Sequence, residues 1–422
     1  MTIRMIAGVM ASFMCLSAYV APAVAATQPD PPPQVCVNNQ CVATPPTGGT
    51  TGAPGSIKWN PGHYMASDAV MSVGKTLSYV QPEMDDLNNQ DAVLGYRAWF
   101  TWGALEPTQG NYDFSVVDAV LARLKTAYNK PKRLVIGLWI YSGGVWSPGN
   151  IGSAVPLYIQ QNSAYGASPV NGSYGWWGFN ANGASTGMYA PALYNPAVMN
   201  RLIALVQALG QHLDQEPYFE ALVIQEDASI AQAASGNGNP DPNYSDSGWL
   251  TQLERLLTAS TAAFPHTSVV DQNSWFQRPQ SGVALEQWMA SNRIAPGSPD
   301  TSGQSGISTY GTGILSDGMQ TLLGVDKYGG TTDLRPKTRA MMDIQSPDII
   351  GGYFSNQGGP FAPLDLINAL NQTYQASHAF WTHIFGTENF GAPIPPAVVW
   401  SNLAPTLSKN PLTHTGYPAN YP

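Results

Sequence analysis

The residues of this chain best placed to do chemistry are a few carboxylic acids at the ends of apolar segments. In Ala221-Leu-Val-Ile-Gln225-Glu226-Asp227, four apolar residues run into a polar, acidic end. Glutamate is scarce, eight in 422 residues, so one that closes a buried-strand pattern stands out. Asp343 holds a similar place in Arg339-Ala-Met-Met-Asp343-Ile-Gln345, and Glu388 lies in the glycine-flanked Phe385-Gly-Thr-Glu388-Asn389-Phe-Gly391. Two carboxyl groups facing across a cleft can divide acid–base work. One donates a proton to a leaving oxygen, and the other attacks carbon or activates water. Glycosidic bonds are cleaved by such a pair, about 5–5.5 Å apart for retention and ~6.5–9.5 Å apart for inversion. Glu226 is the candidate proton donor; the competing reading is an acid that caps the segment after it. Glu388 and Asp343 are equal candidates for the second carboxylate, with Asp271 and Asp300 behind them.

Other reactive arrangements are not supported. There is no G-x-S-x-G elbow for a serine nucleophile. There is no H-E-x-x-H, and the six histidines are scattered, so neither a catalytic metal nor another cofactor is expected. Charged residues make up 11% of the chain and the formal net charge is −9, which argues against nucleic acid as a partner. A surface of Asn, Gln, Ser, Thr, Gly and Tyr suits a neutral, hydroxyl-rich ligand.

Eight strand patterns alternate with helical ones. The strands are expected at 63–67, 94–102, 133–141, 219–227, 267–273, 293–296, 339–345 and 378–384, and the clearest helices at 116–128, Pro196–Leu213, 249–263, 283–291 and 363–375. Pro196 suits a first helical turn with Asn195 as its cap, and Asp113 or Ser115 could cap the helix at 116–128. This alternation predicts an α/β fold, a closed parallel (β/α)8 barrel, over a doubly wound open sheet. No glycine-rich phosphate loop follows any strand. In such a barrel the site lies where strands exit, which is where Glu226 falls. Long insertions at 142–194 and 228–248 follow the third and fourth strands on that side. Trp99, Trp102, Trp139, Trp146, Trp177, Trp275 and Trp381 lie on or beyond strand exits, and indoles there could stack on sugar rings or simply pack the loops. Arg97, within an apolar strand, is expected to point inward and hold catalytic carboxylates ionised.

The stretch Tyr96-Arg97-Ala-Trp99-Phe-Thr-Trp102-Gly-Ala-Leu-Glu106-Pro107-Thr-Gln-Gly110-Asn-Tyr112-Asp113-Phe114 resembles the second strand and following loop of retaining TIM-barrel glycoside hydrolases. It is the pattern of the β-galactosidase, β-xylosidase and cellulase-like clan. The resemblance implies an enzyme acting on a β-linked oligo- or polysaccharide. It implies that Glu106 bridges the turn and does no chemistry. It places the acid/base after an Asn-like residue at the fourth strand, where this chain has Gln225-Glu226, and a glutamate at the seventh, where it has Asp343 and Gln345. Gln for Asn and the absent glutamate are departures. They leave open a non-catalytic carbohydrate-binding barrel that has lost its nucleophile.

The first 25 residues read as a signal peptide: Arg4, an apolar run from Met5 to Val20, and the small-x-small site Ala23-Val24-Ala25. A secreted or periplasmic chain, not membrane-bound after cleavage and monomeric, is expected. Residues 26–55 form a Pro/Thr/Gly-rich linker, in which Cys36 and Cys41 are expected to close a small disulfide. Residues 56–422 are expected to form a single catalytic domain.

Overall fold

The structure, a computed structural model, describes residues 34–37, 40–43, 57–140, 154–166, 174–179, 188–225, 243–272, 279–299, 301, 333–350, 361–384 and 396–418. Eight parallel strands close into a barrel: β1 Gly62–Met71, β2 Val93–Thr101, β3 Arg133–Trp139, β4 Phe219–Ile224, β5 Ser268–Asp271, β6 Ile294–Ser298, β7 Met341–Ile344 and β8 His378–Thr382. Each strand pairs with the next in sequence, and β8 pairs with β1. The expected (β/α)8 TIM-barrel fold is therefore the fold observed. Strands β3, β4 and β7 are short, mostly apolar runs buried nearly throughout, the composition a parallel barrel requires. Strand β1 runs further than expected, and its register against β2 shifts between His63 and Met65 and between Ala66 and Val70.

The outer layer holds α1 Leu77–Asp85, α2 Ser115–Thr126, α3 Pro196–Leu213, α4 Asp246–Ala263, α5 Pro279–Met289, α6 Pro363–Asn368 and α7 Trp400–Lys409. Helix α3 starts as its residues dictate: Pro196 opens the first turn, and the Asn195 side chain accepts from the Ala197 amide at 2.9 Å. The first turn of α2 has no side-chain cap on Phe114; Asp113 accepts instead from the Ser115 amide at 3.0 Å.

Ahead of the barrel, Gln34–Val37 and Gln40–Ala43 form an antiparallel hairpin that sets Cys36 opposite Cys41 and pairs in parallel with Asn111–Tyr112. The 26–55 segment thus contains paired backbone in its middle. The insertion after β3 contains an antiparallel ribbon of Trp176–Phe179 with Met188–Pro191.

Candidate active site

Register decides which side chains enter the barrel. Arg97 on β2 reaches Asp343 on β7 across the barrel, with β8 and β1 between them in the wall, so both point inward. Alternation then turns Trp99 inward beside Arg97, and the paired registers turn Gly137, Trp139, Val223 and Phe380 inward as well. Trp381 takes the opposite face. It is fully buried outside the barrel wall, and its indole donates to His63 Nδ1 at 3.0 Å. Burial holds the His63 imidazole down to about 4, and its Nε2 lies 3.0 Å from the Asn410 carbonyl. With Nδ1 accepting from the indole, the proton sits on Nε2 and is donated to that carbonyl. Trp381 therefore ties β8 to β1, and through His63 to the C-terminal segment, on the outer face of the barrel wall and not in the hollow expected of it.

At the exit end, Asp343 is 1% exposed. One oxygen accepts from Arg97 Nη2 at 2.5 Å, and the other accepts from Gln272 Nε2 just beyond β5. The Thr301 hydroxyl donates to the Asp343 carbonyl at 2.6 Å, so the segment after β6 clamps the backbone there. Asp348 accepts from the Thr301 and Gln345 amides at 3.0 and 2.9 Å, fixing the exit of β7. Gln345 is half-buried beyond Asp343. Burial pushes the Asp343 carboxyl up to about 6, against the opposing pull of Arg97 and Gln272. Arg97 thus favours the ionised carboxylate, as expected of it, without restoring the usual carboxylate range. Arg97 grips Asp343, but the cost of stripping water from the anion outweighs that grip.

The Arg97 guanidinium lies 4.1 Å from the centre of the Trp99 indole, and Trp99 meets Trp139 edge to face at 5.4 Å. The two indoles are 5% and 8% exposed, so they form a wall more than an open platform. Gln225 is buried and accepts from the Ile140 amide at 2.8 Å, stitching the ends of β3 and β4 together. Trp102 is fully buried in a helical turn, Trp102–Leu105, and donates to Glu106 at 2.8 Å. Glu106 also accepts from the Gly110 amide at 2.9 Å and from Arg201 on α3. Gly110 has φ +74, which a tight return after Glu106-Pro107 requires. Glu106 so bridges the turn.

Glu226, Glu388, Trp146 and Trp275 lie outside the described residues, and Trp177 is described only as backbone, paired with Ala190. The structure thus brings Arg97, Trp99, Trp139 and Asp343 together and holds Gln225 nearby as a strand tie. Two residues that the sequence had not singled out belong with them. Gln272 was hidden behind Asp271, and its signal is parity: Val270 pairs with the inward Val223, so Gln272 shares that face. Thr301 has no sequence signal beyond following β6. No group of three or more His, Cys, Asp or Glu able to hold a metal ion occurs among the described residues.

No protein-family profile and no curated protein sequence matches this chain. Similar solved structures include a GH5_18 from Bifidobacterium longum subsp. longum (12% identity, 85% of each chain, TM-score 0.48). The catalytic domain of beta-amylase from Paenibacillus polymyxa is similar at 11% identity, over 82% of this chain and 98% of that one, with a TM-score of 0.48. A GH5_18 from Streptomyces cattleya in complex with GlcNAc is similar at 12% identity, over 82% of this chain and 80% of that one, with a TM-score of 0.45. At these identities and scores the likenesses assign neither substrate nor catalytic residue to this chain.

Proposed function

We propose that this chain is an exported glycoside hydrolase that cleaves a β-linked oligo- or polysaccharide, with Glu226 as general acid/base and Asp343 as the second carboxylate. The observation that carries the reading is Asp343 itself. It is an inward acid at a strand exit of a closed barrel, gripped by Arg97 and Gln272 and holding its proton up to about pH 6. Acids tuned upward by burial at a barrel's exit end are candidates for proton transfer or for attack on a reacting carbon. The Trp99–Trp139 pair beside it forms an apolar wall at the exit end. The opposed register of Cys36 and Cys41 supports a local disulfide, in keeping with export.

A second reading is a carbohydrate-binding barrel without hydrolysis. It is favoured by one observation: both Asp343 oxygens are engaged and the side chain is 1% exposed. One experiment separates the two. Reducing-end release is measured on a panel of plant and bacterial β-glycans with wild type, Glu226→Gln, Asp343→Asn and Glu388→Gln. The proposal expects Glu226→Gln and Asp343→Asn each to lose about 10²–10⁴-fold in rate. Full activity in Glu226→Gln removes that residue from its role. Loss in Glu388→Gln with full activity in Asp343→Asn moves the second carboxylate to position 388. Binding of a glycan with no release by wild type selects the second reading.

A further inference from the structure

Gly137 stands in the middle of β3, directly opposite Trp99 in the parallel register. A Cβ built on Gly137 would lie 2.2 Å from Trp99 Cε3 and 2.3 Å from Cζ3, with a third ring atom at 2.9 Å. The indole thus lies against bare backbone, in space that any side chain at 137 would claim. Trp139, two residues along on the same face, meets the indole edge to face, so the ring has no free direction on that side. The indole in turn lies 4.1 Å from the Arg97 guanidinium. Of that guanidinium, only Nη2 is hydrogen-bonded, to Asp343; Nε and Nη1 are buried with no hydrogen-bond partner among the described residues. A half-bonded, buried cation is located by whatever else attracts it, and the face of an indole does so.

We propose that Gly137 is a positioning residue: by leaving room for the Trp99 indole against β3, it sets where the Arg97 guanidinium sits and therefore how firmly it holds Asp343. The consequence for catalysis rests on the reading of Asp343 as the second carboxylate; the positioning itself does not. Among the described residues, few groups face Asp343. Arg97 comes from β2 and the neutral Gln272 from just beyond β5, while Phe380 is its register partner on β8 and His378 lies lower on that strand. Asp348 follows on the segment after β7 and is engaged by backbone amides. Among the described residues Arg97 is the charge in contact with Asp343, so a displaced guanidinium is read directly at that carboxyl.

The test is the titration of the Asp343 carboxyl, followed by carbon-13 NMR of aspartate-labelled protein and assigned with Asp343→Asn. Gly137→Ala must push the indole, weaken the grip of Arg97 and raise the midpoint by about one pH unit. Trp99→Leu raises it similarly, and Trp99→Phe, which keeps a ring for the cation, raises it less. Adding Gly137→Ala to Trp99→Leu produces no further shift, because the conflict is with the indole. An unchanged midpoint in Gly137→Ala, with the indole shown by near-ultraviolet dichroism to have moved, overturns the proposal. So does an equal effect of Gly137→Ala with and without Trp99. If Gly137→Ala alone does not fold, recovery of folding by Trp99→Leu supports the proposal, and failure to recover overturns it. A shifted midpoint in a protein that cleaves no glycan leaves the positioning standing and removes only the hydrolase reading.

Discussion

At the entry end of the barrel, Glu220 is fully buried, and its two oxygens meet the Asn60 amide at 2.7 Å, Asn60 Nδ2 at 2.9 Å, His378 Nε2 at 3.2 Å and Arg133 Nη1 at 3.4 Å. At the exit end, Asp343 is buried just as deeply, but its oxygens meet only Arg97 and Gln272 among the described residues. Burial works to raise both acids. At Glu220 the donors from His378, Asn60 and Arg133 outweigh it, and the carboxyl is held below its usual range. At Asp343 they do not, and it rises to about 6. The same fold thus makes one acid a permanently charged tie between strands and leaves the other poised to exchange a proton. Depth is nearly equal, so the difference lies in the donors and charges around each carboxyl, four contacts at Glu220 against two at Asp343 among the described residues. A fully satisfied charge locks structure; an under-satisfied one is available for chemistry.

The comparison breaks most visibly at the entry end. Glu220→Gln removes the charge that Arg133 and the other donors were arranged around, and breaking a buried pair from one side costs about 3–5 kcal/mol. Denaturant unfolding at pH 7 checks this, and an unchanged midpoint would mean that Glu220 is not a structural tie. The sign of its pH dependence is also fixed. With a folded pKa below the unfolded 4.5, its contribution is present above pH 4.5 and is lost as pH falls through the folded value.

The same kind of change at the exit end has the opposite sign. Folded Asp343 keeps its proton to about pH 6, whereas the unfolded chain releases it near 3.8. Stability therefore falls as pH rises between those values, by roughly 3 kcal/mol at most. Asparagine imitates the protonated acid. Asp343→Asn removes the titrating group and is expected to lose this fall of stability with rising pH. His63 complicates the wild-type curve in a useful way. Its folded pKa of about 4 lies below its unfolded 6.5, so its contribution is lost as pH falls from 6.5 to 4. The two slopes oppose each other across nearly one window. Asp343→Asn should therefore make stability rise more steeply with pH across that window than it does in wild type. Thermal unfolding of both proteins between pH 4 and 7 reads it, and parallel curves would refute the raised Asp343 value.

This contrast also explains what could be read in the chain beforehand. Most of the strands were legible because a parallel barrel demands continuous apolar runs; the sixth, interrupted by Pro296 and Gly297, was the weakest. Arg97 and Asp343 were legible because a charge inside such a run has to face a partner. The role of Glu220 was not. Simple alternation back from Gln225, Val223 and Ala221 turns Glu220 outward. In the structure Leu134 pairs with Phe219 but Val135 pairs with Ala221, so Glu220 is the extra residue of a bulge. A bulge is a property of two strands together, and neither sequence alone contains it. Trp102 and Trp381 were expected at the site because they lie near strand exits. Each instead serves a buried hydrogen bond, to Glu106 and to His63. Proximity to an exit is visible in one dimension; the direction of a side chain is settled only by register.

The smallest change is the one that makes the two ends most alike. Asn60→Ala leaves the backbone amide on Glu220 but deletes the side-chain donor at 2.9 Å, bringing the entry-end acid closer to the two-donor state of Asp343. A hydrogen bond to a charged group contributes about 1.5–3 kcal/mol when buried, and Asn60 is only half-buried, so a loss of about 1 kcal/mol is expected. The sharper readout is the carboxyl itself. With one donor gone and burial unchanged, the Glu220 titration should move upward toward the Asp343 pattern, and acid unfolding should begin at a higher pH. If the Glu220 midpoint stays fixed while stability drops, donor count is not what separates the two acids. The electrostatics of His378 and Arg133 would then have to account for the whole difference.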